Sequence, residues 1–248
     1  MRDFEELVAE AEAADVTGWG FDFLDGRATE ERPPWGYAHL LAEHLAQVSS
    51  ALDLDTGGGE VLDEAPVLPA HMVATEAWEP NAARARERLE PRGVRIVEST
   101  RSLHDRSFEL ISSRHPIAPD FPEIHRLLHP GGRYVAQHVG PGSCFGLTEH
   151  FLGPQPDARR GRDPRDEAAA AEAAGLVIDE LRTATCRITY TDVGAIVWIL
   201  RKCPWWVPGF TASAYEPQLR ELDARMRAGE PFRDVSTRHL IRAHRPRH

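Results

Sequence analysis

Residues 51–59 read Ala-Leu-Asp-Leu-Asp-Thr-Gly-Gly-Gly, an apolar run that closes in three glycines, and a second apolar run ends at Glu76, Ala77 and Trp78. Glycines at a strand-to-helix turn let backbone N–H groups approach a ligand closely. An acidic side chain at the tip of the following strand can accept both hydroxyls of a ribose. Asp53, Asp55, Thr56, Gly57, Gly58 and Gly59 in the turn, with Glu76 beyond it, therefore point to a nucleoside-containing cofactor.

Groups able to move a proton are fewer. His115 leads them, because the run Ser113-Arg114-His115-Pro116 follows a predicted strand and the proline fixes the turn. His138, at the end of another predicted strand, comes second, ahead of Tyr37 and His39. Other chemistries fit poorly. Counted from Gly57, the dinucleotide pattern G-x-G-x-x-G would place its third glycine at Leu62. There is no nucleophile elbow and no H-E-x-x-H. The twelve histidines form no ligand pair on one helical face beside a carboxylate, so no metal is expected.

The surrounding pattern must position these residues, and it is regular. Phe4, Leu7, Val8 and Ala11 at helical spacing predict an amphipathic helix over 3–14. Trp19, Phe21, Phe23, Trp35 and Tyr37 then crowd a stretch broken by glycine and proline, a loop that covers a ligand or plugs a core gap. A helix is predicted over 36–48, strands over 50–55, 71–76, 95–98, 108–112 and 133–139, and helices from Gly59, over 81–89 and over 121–128. Such alternation implies a parallel sheet with right-handed crossovers. Beyond it lie a Gly-, Pro- and Arg-rich loop over 140–166, a helix over 166–174, a strand over 176–190, helices over 192–201 and 216–228, and a last strand over 236–243.

Several ordered motifs resemble those of class I S-adenosylmethionine-dependent methyltransferases. Asp53, Asp55, Gly57 and Gly59 lie where that family has Asp-x-Gly-x-Gly-x-Gly, with Asp55 in place of the first glycine. Glu76 resembles the family's ribose acid, and Trp78 its residue stacked on adenine. Ser-Phe-Glu-Leu-Ile at 107–111 is similar to the family's Ser-Phe-Asp strand. Leu-Leu-His-Pro-Gly-Gly-Arg-Tyr at 127–134 is similar to its Leu-x-Pro-Gly-Gly turn. The resemblance implies an α/β, Rossmann-like, seven-stranded and mostly parallel sheet flanked by helices, with an N-terminal helical and aromatic extension and lid insertions. It implies one domain over 1–248: N-terminal helices and lid (1–48), cofactor-binding core (49–140), and lid loop with substrate-side half (141–248).

The implied cofactor is S-adenosylmethionine, with further contacts at Ser99, Thr100, Ser113 and Arg114. The acceptor is expected near His115, His138, Trp19, Tyr37, Trp198, Trp205 and Phe210, an aromatic setting suited to a small molecule. Because the leaving group is already activated, alignment of nucleophile, methyl and sulfur carries most of the catalysis.

Two other readings stay open: an RNA or protein methyltransferase binding through the tail 238–248, and a non-catalytic protein of the same fold. A net charge of −10 argues against a nucleic-acid surface. Arginine supplies nearly all the positive charge, Lys202 being the single lysine. Cys144, Cys186 and Cys203 lie far apart without a C-x-x-C pair, as expected for reduced thiols in a cytoplasmic protein. No stretch approaches the ~20 apolar residues of a membrane helix. A monomer or homodimer is expected.

Overall fold

A computed structural model of the protein describes residues 2–18 and 20–247. The chain runs α1 (Phe4–Ala13), β1 (Ala28–Glu30), α2 (Tyr37–Leu45), β2 (Ser50–Leu54), α3 (Glu60–Asp63), β3 (His71–Thr75), α4 (Glu79–Leu89), β4 (Val94–Val97) and β5 (Phe108–Arg114). It continues through α5 (Phe121–Leu127), β6 (Leu128–Val139), α6 (Phe145–Leu152), α7 (Pro156–Arg160), α8 (Pro164–Ala173) and β7 (Val177–Tyr190). Last come α9 (Val193–Lys202), α10 (Glu216–Arg227) and β8 (Phe232–His244). The strand order is β1-β7-β8-β6-β5-β2-β3-β4. Neighbours from β6 through β4 pair in parallel, while β8 runs antiparallel to β6 and β1 antiparallel to β7. This is a Rossmann-like α/β fold with eight strands among the described residues, where the sequence predicts seven. The added strand, β1, is three residues long and hidden inside the aromatic stretch.

The chain forms two compact units. One comprises residues 33–140, 162–184 and 238–248. Side-chain alternation sends Leu52, Ile111, Tyr134, Ala136 and Ile241 to one face of its sheet, with α5 and α8. Ala51, Met72, Leu110, Val135 and Leu240 go to the other, where Tyr37 and Leu41 of α2 and Leu89 of α4 cover them.

Two local features differ from the sequence reading in this unit. The helix after Gly59 lasts one turn, because Pro66 lacks an N–H and pushes the residue before it out of helical geometry. Pro130-Gly131-Gly132 lies inside β6, where the pairing with β5 shifts register between Phe108 and Leu110. A Cβ on Gly132 would stand 2.9–3.0 Å from the carbonyl oxygens of His129 and Phe108, so only glycine fits that bulge.

The other unit comprises residues 1–32, 141–161 and 185–237. Phe4, Leu7 and Ala11 of α1 bury against the apolar α9. Lys202, at the end of α9, donates to the carbonyls of Val16, Thr17 and Gly18, holding the chain that leaves α1. The stretch read from sequence as a loop contains α6 and α7. Asp234, distant in sequence, caps α6 by accepting from the N–H groups of Gly146 (3.1 Å) and Leu147 (2.8 Å). Among the described residues no helix is long and apolar enough to cross a membrane.

Candidate functional site

The glycine turn is built where β2 and β3 end side by side. Asp55 takes a left-handed backbone (φ 54°), as do Gly57 (φ 64°) and Gly59 (φ 82°). A left-handed aspartate is uncommon, and two bonds to β3 hold it there: the Asp55 N–H donates to Thr75 Oγ1 (3.0 Å) and the Thr56 N–H to the Thr75 carbonyl (2.9 Å). Glu76 then clasps the turn. Its carboxylate accepts from the Gly57 N–H (2.9 Å) through one oxygen and from the Trp78 N–H (2.8 Å) through the other. Turn and strand tip thus form one hydrogen-bonded unit, with Ala77 and Trp78 exposed beside it, Trp78 at 54 %.

Asp53, next to this turn at the end of β2, is buried. It accepts from Ser112 Oγ at 2.5 Å, the residue paired with it on β5. Burial raises its carboxyl to about 6 despite hydrogen bonds from Ser112 and Thr56, the nearby Asp55 adding to the rise. A buried carboxyl of this kind is suited to receive a cationic ligand group.

His115 follows β5 in a left-handed conformation (φ 60°), its N–H bonded to the Gln137 carbonyl at 2.7 Å. Its ring belongs to a chain that fixes its protonation. The Trp35 indole N–H, which can only donate, bonds Gln137 Oε1 at 2.7 Å. That leaves the Gln137 amide nitrogen to donate to His115 Nε2 at 3.0 Å. His115 Nε2 is then an acceptor, and the neutral ring carries its proton on Nδ1. Lost solvation, then Arg238 and Arg114, push the His115 pKa well below the usual histidine range. The geometry makes His115 a neutral donor through Nδ1.

His138 points to the other face of the sheet. Tyr134 Oη lies 3.0 Å from His138 Nε2, and His138 Nδ1 lies 2.5 Å from Glu167 Oε2 on α8. His239 of β8, the cross-strand partner of His138, brings Nε2 to 2.8 Å from the same oxygen. Burial raises the Glu167 pKa, but hydrogen bonds from both histidines outweigh it and hold the carboxyl at about 2. Burial keeps His138 below its ordinary value.

The other sequence-selected residues are dispersed. Ser113 is buried and donates to the Leu54 carbonyl (3.3 Å), beside exposed Arg114. Ser99 is exposed and Thr100 half-buried past the end of β4. Tyr37 is buried with its hydroxyl 2.9 Å from the Ser113 carbonyl and 3.2 Å from that of Val135. In the unit of α1 and α9, Trp198 is a core residue, stacked on Phe23 at 5.4 Å with its indole N–H on the Asp15 carbonyl. Phe210 stacks on Tyr215 at 5.7 Å, whereas Trp205 is 58 % exposed. Trp19 lies outside the described residues. Sequence reasoning misses Ser112, Gln137, Glu167 and His239. The parity that pairs Ser112 with Asp53 and the register of β8 on β6 were the signals for two of them. An open cleft of 490 Å³ by Arg133, Arg242 and Arg247 lies at the start of β6, away from the end that carries Gln137 and His138.

No protein-family model matches the chain and no curated protein matches its sequence. Solved structures do match. The chain is similar to a Bacillus halodurans protein assigned as a methyltransferase, with 18% identity and a TM-score of 0.60 over 84% of this chain and 98% of that one. It is similar to the cyclase SpnF, with 18% identity and a TM-score of 0.51 over 84% and 80% of the two chains. A third is phosphoethanolamine N-methyltransferase 2 of Haemonchus contortus, solved with phosphomonomethylethanolamine and S-adenosylhomocysteine. Here identity is 15% and the TM-score 0.50 over 86% of this chain and 53% of that one. The fold of the protein is the class I methyltransferase fold.

Proposed function

We propose that the protein is an S-adenosylmethionine-dependent methyltransferase acting on a small-molecule acceptor. The observation that carries this reading is the clasp of Glu76 on the Gly57 turn, set beside buried Asp53. The donor set fits the cofactor. Asp53, Asp55 and Glu76 gather at neighbouring strand ends, and the cofactor's ammonium and sulfonium charges complement carboxylates. When bound, S-adenosylmethionine supplies an activated methyl group. Glu76 would accept from ribose hydroxyls with the lone pairs its backbone bonds leave free. His115, neutral and donating through Nδ1, orients an acceptor and takes no proton through Nε2.

The tail supports a small acceptor over RNA. Arg242 is paired with Glu180 at 2.9 Å, His244 with Asp179 at 2.8 Å, and Arg245 is bonded to the carbonyls of His125 and Leu128. A second reading, a protein of this fold that transfers no methyl group, draws on Asp55 standing left-handed where the resembling family has glycine. The likeness to a cyclase keeps that reading in view.

Calorimetric titration with S-adenosylmethionine tests the cofactor. Each charge-assisted bond contributes about 1.5–3 kcal/mol, so Glu76→Ala is expected to weaken binding at least about tenfold. Equal affinity in a folded variant refutes the assignment. Tight binding with no methyl transfer to any acceptor offered favours the second reading.

A further inference from the structure

We infer that His138, Glu167 and His239 form a binding site for one divalent cation of the zinc class. The three side chains come from β6, α8 and β8, and one donor atom of each lies within 4.8 Å of the others. Register creates the pair: His138 and His239 are opposed across antiparallel strands, their ring centroids 5.1 Å apart. Glu167, in the first turn of α8, presents a single oxygen to both rings. Both histidines are almost fully buried, on the face of the sheet that also carries Phe121, Ala136, Ala171 and Ile241. Glu167 meets one nitrogen of each ring, while the buried His239 Nδ1 has no hydrogen-bond partner among the described residues.

The ligand set is two imidazole nitrogens and one carboxylate oxygen, which suits zinc and leaves a fourth position for water. As the site stands, two N–H···O bonds of 2.5 and 2.8 Å hold it closed. A tetrahedral zinc with bonds of about 2.0–2.1 Å separates its ligands by about 3.3 Å, so Glu167 has to withdraw by well under an ångström. The cation takes the places of the protons on His138 Nδ1 and His239 Nε2; each neutral ring keeps its one proton, which passes to its other nitrogen. His138 then carries its proton on Nε2 and donates it to Tyr134 Oη, the outer hydrogen bond that orients a metal-bound imidazole. Such a centre would fasten α8 to β6 and β8.

The test uses the full-length chain without a histidine tag, stripped with chelator and titrated with zinc and with cobalt(II). One equivalent of either metal is expected to survive desalting, with the visible absorption of four-coordinate cobalt and a raised thermal midpoint. Glu167→Gln and His239→Gln should each weaken binding more than about a hundredfold, and Tyr134→Phe about 10–100-fold. Circular dichroism establishes which variants fold. If one ligand variant fails to fold, the other and Tyr134→Phe still decide. The inference is overturned if the wild-type chain holds no stoichiometric metal, or if folded variants hold it as tightly, which places it on other histidines.

Discussion

Asp53 offers the sharpest quantitative prediction. Its carboxyl rises from 3.8 to about 6 in the folded chain, chiefly because burial penalises the charged form. A pKa raised by folding means that the native state prefers the protonated acid. The linked stability is fully present below pH 3.8 and is lost as the pH climbs through about 6. A rise of about two units corresponds to roughly 3 kcal/mol.

Asparagine copies the neutral acid in shape, and its Oδ1 can still accept from Ser112. Asp53→Asn should therefore match the wild type near pH 4 and exceed it by up to about 3 kcal/mol above pH 7. Urea unfolding followed by circular dichroism across pH 4–8 measures the difference. A difference that does not change with pH refutes the argument. So does a variant less stable at neutral pH by about 1.5–3 kcal/mol, the value of a charge-assisted bond from Ser112 to an ionised Asp53. The same reasoning links Asp53 to the proposed cofactor. A cation bound beside it favours the carboxylate, so binding near pH 6 should release a proton, seen as a dependence of the calorimetric heat on the ionisation enthalpy of the buffer.

Two further outcomes follow from side-chain environments. Nitrogen NMR of His115 at pH 7 should report the neutral Nδ1–H tautomer, and His115→Ala should lower the rate without removing a limb of the pH profile between 6 and 9; an imidazolium signal refutes the Trp35–Gln137 argument. Burial pushes the Cys203 thiol up to about 12, and Cys144 and Cys186 are buried too. Native protein at pH 8 should leave all three unreacted with a thiol reagent and expose three after urea, so rapid native labelling contradicts the packing.

The parallel half of the sheet was legible because its signals are local. An apolar run closing in glycine, an acid at the tip of the next strand and Pro-Gly-Gly before another strand each declare themselves within a few residues. Features set by distant partners were not. Strand β1 is three residues whose pairing with β7 lies more than a hundred positions away, so no window holds both. Helix α6 follows Cys144, which stands in a left-handed conformation, and its cap comes from Asp234. Trp198 reads as a pocket aromatic because tryptophan is amphipathic; Phe23 and the Asp15 carbonyl decide that it is core.

Gln137 and His138 show why the polar clusters stay hidden even where the strand is read correctly. They are consecutive, so alternation sends one to the face of Trp35 and Tyr37 and the other to the face of Tyr134 and α8. The sequence therefore displays two polar neighbours where the molecule has two separate hydrogen-bonded clusters. His115 stands out in the sequence by its position after β5, but the tautomer of its ring is set by an amide on the next strand and an indole beyond that amide. His138 looked like its alternate, but β8 opposes it with a second histidine and α8 supplies the carboxylate. A one-residue slip of β8 against β6 would turn His239 to the opposite face and dissolve the cluster. The register that completes the sheet thus also creates the cluster, which is why no motif within β6 alone could have revealed it.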